Sequence, residues 1–397
     1  MELSGLGREP AAVSQPYPVQ FLASKPNGRV AANWANRPSD ERYLNLEDLH
    51  LATRKRADFA RVRTLKSSVI CVESDGYSDH LALRLPGEER QIAATNWSFG
   101  QLCSLANAPS SYLRQLPAPL AAINLQHGLV SHGAEYIKTL EVGGDNLELR
   151  AVTGADYGRI WDHELVASVR EIAGNGVTDS RWKVPGVLDW STMTHNPFVK
   201  VTQETTTLYA SDRDVFIFLV DDLHPIEAGR LATGEPDLYF RGFYAWNSEV
   251  GSKSLGIASF YLRAVCQNRL LWGVEQFQEI KVRHSKFASR RFSHEVSPAL
   301  TAFANSSPAP FLAGIKSARE TRVAKTDEDR QDFLRGRGFS KLESAKIIET
   351  VLREEGHQPE SLYDFAQGIT ALARSRLHQD VRLALEGKAR DLMKANR

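Results

Sequence analysis

Hydrophobic and polar positions alternate most clearly between Tyr239 and Tyr261. Tyr239, Arg241, Phe243 and Ala245 interleave with Phe240, Gly242, Tyr244 and Trp246. The run NSEVGSKS then supplies turn residues, and Leu255, Ile257, Ser259 and Tyr261 resume the period of two. An aromatic-rich run of that period predicts a strand with one face buried, and the two runs together predict a β-hairpin. A turn at Cys266, Gln267 and Asn268 is expected to follow, and then one more strand over 274–282.

The same pattern divides the rest of the chain. Residues 1–40 are rich in Pro, Gly, Ser and Asn and read as a loosely ordered arm, with a short strand at 19–22. From 44 to 66 a short helix gives way to a basic run of Arg54, Lys55, Arg56, Arg61, Arg63 and Lys66. That run is either a solvated face or a phosphate-contacting patch. Residues 67–74 and 80–85 pair across Asp75-Gly76.

Trp97, Leu102, Cys103 and Leu105 mark a helix, and Ala108-Pro109 breaks it. Tyr112-Leu113 starts a second helix, and Pro117 or Pro119 opens a third. This helix–turn–helix spacing invites comparison with a DNA reader. The second helix offers only Ser110, Ser111, Arg114 and Gln115 as polar readers, so a packing layer is expected. A strand at 147–153 leads to a helix with Asp162, His163 and Glu164 in its first turn and Leu165, Val166, Val169 and Ile172 as its buried stripe. Further strands are expected at 205–210 and 215–220. Beyond Ser297 the period becomes helical through 311–323, again from the capping box Ser340–Glu343 to 352, and, after a break at 356–359, over 362–373 and 377–393.

The resulting fold class is α+β: a mixed, mainly antiparallel sheet domain with inserted helices, followed by a helical C-terminal region. Three segments are expected: an arm over 1–40, a core domain over 41–305 and the helical region over 306–397, with the boundary at 306–310.

Composition narrows the picture. With 42% hydrophobic and 24% charged residues and a net charge of +1, the charge balance gives no whole-chain argument for nucleic acid or membrane, so any such argument must be local. The 3 cysteines are widely spaced, which excludes a disulfide framework and fits a reducing cytoplasm. No apolar run approaches the ~18 residues of a membrane span.

Known catalytic motifs are missing: there is no phosphate loop, GxGxxG, HExxH or GxSxG elbow. Asp221, Asp222 and His224 at a strand end form one candidate metal or acid–base group. Asp237, Glu249 and Lys253 faintly resemble a metal-dependent nuclease set, although that chemistry needs Glu and Lys two apart on one strand. The third candidate is binding. Gly251 can take positive φ, successive amides can form an anion-holding nest, Lys253 adds charge, and Tyr244, Trp246 and Tyr261 could stack on bases. The acid-free run of Lys281, Arg283, Lys286, Arg290 and Arg291 follows.

NSEVGS, followed by RAVCQNRLLWG, resembles the signature of the phage/plasmid-like proteins with domain of unknown function 932. Asn247, Ser248, Glu249, Gly251, Ser252, Arg263, Val265, Cys266 and Asn268 match it, and Arg269 stands where that family usually has Gly. NWSFGQLCSLANAPSSYLRQLP, LRAVTGADYGRIWDHELVASV and LYDFAQGITALAR are similar to its other segments, so the resemblance runs over about 68–397. It implies a mobile-element protein in a nucleic-acid setting and assigns no chemistry.

Together these readings lead to a non-catalytic DNA-binding protein of recombination or replication, with no cofactor and with self-association left open. Its contact residues would be Tyr244, Trp246, Asn247, Ser248, Gly251, Ser252, Lys253, Arg263, Asn268, Lys281, Arg283, Lys286, Arg290 and Arg291. Two alternatives stand beside it. One is a metal-dependent nuclease or other enzyme centred on Asp221, Asp222, His224 and Glu249. The other is a host-interaction or counter-defence protein without a nucleic-acid site.

Overall fold

The computed structural model describes residues 39–74, 81–143, 147–177, 180–185, 188–189, 194–195, 200–231, 234, 236–263, 269–270, 279–285, 295, 298–299, 301–375 and 379–394. The architecture is α+β. The chain enters on β1 (Arg42–Tyr43) and α1 (Leu46–Asp58), whose first turn is capped where Asn45 accepts from the Asp48 amide. Six strands follow: β2 (Ala60–Leu65), β3 (Cys71–Ser74), β4 (Leu81–Arg84), β5 (Ile92–Ala94), β6 (Ile137–Val142) and β7 (Leu147–Gly154). They form a sheet in the order β2-β6-β7-β5-β4-β3, in which only β5 and β7 run parallel. Between β5 and β7's partner β6 lie α2 (Asn96–Leu105), α3 (Ser110–Leu113) and α4 (Ala118–His132). Phe99, Leu102, Leu125 and Leu129 pack these helices on Val72, Leu83, Ile92 and Leu149. The expected packing layer is therefore what the three helices form. Cys103 is sealed within it, and burial pushes its thiol up to about 12.

Helix α5 (Asp162–Ala173) leads into a second, nine-stranded sheet. Its strands are β1 with β8 (Trp182–Lys183), β11 (Leu208–Ala210), β12 (Val215–Asp221), β13 (Ile226–Arg230), β14 (Pro236–Asn247), β15 (Leu255–Arg263), β16 (Arg269–Leu270) and β17 (Glu279–Val282). A separate short pair, β9 (Leu188–Asp189) and β10 (Thr194–His195), lies outside it. The expected hairpin is β14–β15, in register from Tyr239–Arg263 to Trp246–Gly256. The expected turn at 266–268 and the strand at 19–22 lie outside the described residues.

The hairpin differs from expectation in one respect: both faces are buried. Tyr239, Phe243, Ala245, Ile257 and Tyr261 join the large core shared with α1 and α5. Phe240, Tyr244, Trp246, Phe260 and Leu262 pack with Tyr209, Phe216 and Phe218 in a second cluster. A strand in the middle of a sheet covered on both sides reads as nearly continuous hydrophobicity, which is how its aromatics fall on both parities.

The C-terminal helices are α6 (Ala309–Glu320), α7 (Asp327–Arg335), α8 (Lys341–Glu355), α9 (Leu362–Arg374) and α10 (Gln379–Lys394). Capping boxes start α7, α8 and α9, at Thr326–Asp329, Ser340–Glu343 and Ser361–Asp364. Residues 301–305 are already helical, ahead of the expected boundary at 306–310, and the core does not break there. Phe311 stacks on Tyr261 at 3.8 Å between ring centroids, and Ile315 and Phe365 lie in the same cluster. Among the described residues no helix is long and apolar enough to cross a membrane.

Candidate functional site

The turn between β14 and β15 is where the two sheets meet, and its side chains hold them together. Asn247 is fully buried and donates from Nδ2 to the Ile160 carbonyl and to Asp162 Oδ1, both at 2.8 Å. Ser248 donates to the Arg213 carbonyl at 2.6 Å, and the Tyr157 hydroxyl donates to the Ser248 carbonyl at 3.1 Å. The Val250 carbonyl accepts from Trp97 Nε1 at 3.1 Å and Gln101 Nε2 at 3.0 Å, both from α2. Its side chain packs with Leu140 and Ala151 of the six-stranded sheet.

Glu249 is the centre of this joint. Its carboxylate takes Arg150 Nη1 on one oxygen and the Asp162 amide, at 3.2 Å, on the other. Its carbonyl accepts from Arg159 Nη1. The carboxylate thus sits on the positive end of α5 as well as on a guanidinium. Burial alone would raise its pKa, but the charge and hydrogen bond of Arg150 outweigh that and hold it below the usual range. Asp162 goes the other way. Burial first, and the Glu249 charge second, push its carboxyl well above the ordinary value. Asp162 Oδ2 is buried with no hydrogen-bond partner among the described residues, a setting that favours the protonated form. Of the two carboxyls, Glu249 is favoured as the charged form and Asp162 as the protonated one.

Several residues expected to touch nucleic acid are therefore parts of the joint. Gly251 does take positive φ, at 85°, which keeps side-chain-bearing residues out. The anion nest is nonetheless already filled: the Gly251 amide donates to the Ser248 carbonyl at 3.2 Å and the Ser252 amide to Ser248 Oγ at 2.9 Å. Tyr244 has no open ring face. It lies 4.5 Å from Phe260 and 5.3 Å from Phe218 between centroids, with its hydroxyl donating to Glu386 of α10 at 3.2 Å. Trp246 lies over Gly256, where an added Cβ would come within 2.1 Å of the indole. Lys253 is half-buried.

Arg263 anchors the C-terminal helices instead of facing solvent. Its Nε donates to Asp237 Oδ1 at 2.7 Å, and its terminal nitrogens grip both oxygens of Glu355 on α8. Arg319 of α6 takes the other Asp237 oxygen at 2.5 Å. Beside them the hydroxyls of Tyr239 and Tyr363 meet at 2.6 Å.

The enzyme constellation does not assemble. Asp221 is held by Arg181 Nε at 2.7 Å with His224 Nδ1 at 3.2 Å, and Asp222 by Lys183 Nζ at 2.5 Å. Val215 pairs with Asn247, so Glu249 lies beyond one end of β12 while Asp221 ends the other. At ~3.3 Å per residue those ends are about 20 Å apart. Asp237 and Glu249 are further apart still, at opposite ends of β14, on the order of 35 Å. Among the described residues no group of three His, Cys, Asp or Glu side chains is arranged to hold a metal ion.

Of the second basic segment, Arg283 is exposed just after β17. Asn268, Lys286, Arg290 and Arg291 lie outside the described residues, as does the Lys281 side chain. The first basic run is better defined: Arg54, Lys55, Arg61 and Lys66 are exposed along α1 and β2. The sequence alone did not mark Arg150, Arg159, Tyr157 and Asp162 as site residues. The signal that could have found Arg150 was a lone arginine inside an apolar strand.

No curated protein and no solved structure matches the chain. The matching family model spans 194–336, a narrower stretch than the resemblance, holding the hairpin, its turn, Arg263 and β17 but none of the six-stranded sheet. Over those residues the chain is similar to a domain of unknown function, DUF932.

Proposed function

We propose that this protein binds DNA without catalysing a reaction on it, and that it serves recombination or replication in a mobile genetic element of phage or plasmid type. The observation that carries the reading is the exposed basic run along α1 and β2. Between 54 and 66 the only acid is Asp58, which pairs with Arg54 at 2.9 Å. Lys55, Arg61 and Lys66 reach solvent, while Arg56 and Arg63 turn inward to the Ser211 carbonyl at 2.6 Å and to Glu141 at 2.7 Å, fixing the corner. Arg283 opens a second basic segment. Charges of this kind act by displacing counterions from phosphates, so they need no charge excess over the whole chain. The mobile-element setting is supported by the Asn247–Asn268 signature.

Fluorescence anisotropy of a labelled oligonucleotide between about 50 and 200 mM salt tests this. Affinity is expected to fall steeply with salt. Replacing Arg61 and Lys66 with Ala is expected to weaken binding and to flatten the log–log salt slope by about 1.5, the share of two phosphates. Absence of binding at ~50 mM salt would sink the proposal.

A further inference from the structure

We infer that the corner between α1 and β2 selects single-stranded over duplex nucleic acid, with the ring of Phe59 as the platform for one unstacked base. The inference rests on the binding function proposed above and names its substrate class. Phe59 is the C-cap of α1 and stands 57% exposed. Its position is fixed: its amide donates to the Lys55 carbonyl at 3.3 Å, and its own carbonyl accepts from the Gly143 amide at 3.0 Å, just past β6. The ring is therefore held out on a pinned backbone at the joint of a helix and an edge strand.

The surroundings fit an extended strand of nucleic acid. Leu51, Lys55 and Phe59 follow one another at intervals of four, so they lie on one outward stripe of α1, and Leu51 is 59% exposed. On the other side of the ring, Arg61 and Val62 are exposed on β2, which is an edge of its sheet. A cation thus stands on each side of the aromatic along the chain. Bases inside a duplex are already stacked on their neighbours, so a ring in this position gains a partner only from a strand whose bases are free. The hairpin aromatics cannot supply such a platform, because Tyr244 is fully buried and Trp246 nearly so.

The test compares one sequence as a single strand and as a duplex, by anisotropy at two salt concentrations, using the wild-type chain, Phe59→Ala, Phe59→Trp and Lys55→Ala/Arg61→Ala. The wild type is expected to prefer the single strand. Phe59→Ala should weaken that binding on the order of tenfold, leave the salt slope and the duplex affinity unchanged, and show unaltered circular dichroism; Phe59→Trp should retain the preference. Single-strand binding by Phe59→Ala equal to wild type, or an equal loss on both forms, overturns the inference. If Lys55→Ala/Arg61→Ala then still loses affinity and slope, the broader binding function survives. If no variant binds either form, that function fails and the inference with it.

Discussion

Arg150 of β7 and Glu249 of the β14–β15 turn form an ion pair buried on both sides, with side chains 3% and 1% exposed. Taking two charges out of water is costly, and it is sustained here by further bonds: Arg150 Nη2 donates to the Asp212 carbonyl at 2.8 Å, and Glu249 also takes the Asp162 amide. Removing one partner strands the other. Arg150→Ala is expected to destabilise the protein by about 3–5 kcal/mol in denaturant unfolding. The double variant Arg150→Met/Glu249→Leu should recover a large part of that loss. If Arg150→Ala instead unfolds at the wild-type midpoint, the pair does not hold the sheets together.

The two carboxyls of the joint predict opposite responses to pH. Asp162 has a raised pKa, so the folded state binds its proton more tightly than the unfolded chain does. Its contribution is complete below the ordinary value of 3.8 and is lost as pH rises from there toward its raised value. Glu249 has a lowered pKa; its contribution is complete above the ordinary value of 4.5 and is lost on acidification below it. Asp162→Asn removes the titrating carboxyl while keeping an oxygen for Asn247 Nδ2. Melting temperatures measured from pH 4.5 upward are expected to decline less in Asp162→Asn than in the wild type. Parallel profiles would show that Asp162 does not hold a proton in the folded protein.

Gly256 tests the hairpin's role as core. A methyl group there would press on the Trp246 indole, whose ring belongs to the cluster of Phe216, Phe218 and Phe260. Overpacking of this kind costs roughly 1–3 kcal/mol. Gly256→Ala should therefore lower the unfolding midpoint, while DNA affinity per folded molecule stays at the wild-type level. A selective loss of affinity at unchanged stability would return the hairpin aromatics to the binding surface.

How far the fold could be read from sequence depended on the range of the interactions. The hairpin, α2 to α4, α5 and the Ser340 capping box were legible because periodicity, prolines and caps act within a few residues. Helix α7 went unread although Thr326 and Asp329 carry the same capping logic, because its charged run DEDRQD hides the period. Alternation told which hairpin residues share a face, but not that a second layer covers the other face. That is why Tyr244 and Trp246 read as available rings. Glu249 is 99 positions from Arg150, so no local pattern could pair them. The arginine inside LELRAVT was the hint that a partner existed elsewhere. Arg263 is similar: Asp237 lies near it across the hairpin, but Glu355 is 92 positions away.

The hairpin turn has one further consequence. The residues that make this chain recognisable, Asn247 to Ser252, fasten one sheet to another, whereas Lys55, Phe59 and Arg61 lie outside the matched span of 194–336. Under the proposed binding function, the matched segment and the contact residues thus lie in different parts of the chain. The turn's bonds to both sheets leave the outer face of the helix and edge strand free to vary without disturbing the way the sheets are joined. If the proposal holds, what this chain binds is decided by the helix and edge strand that precede the matched segment.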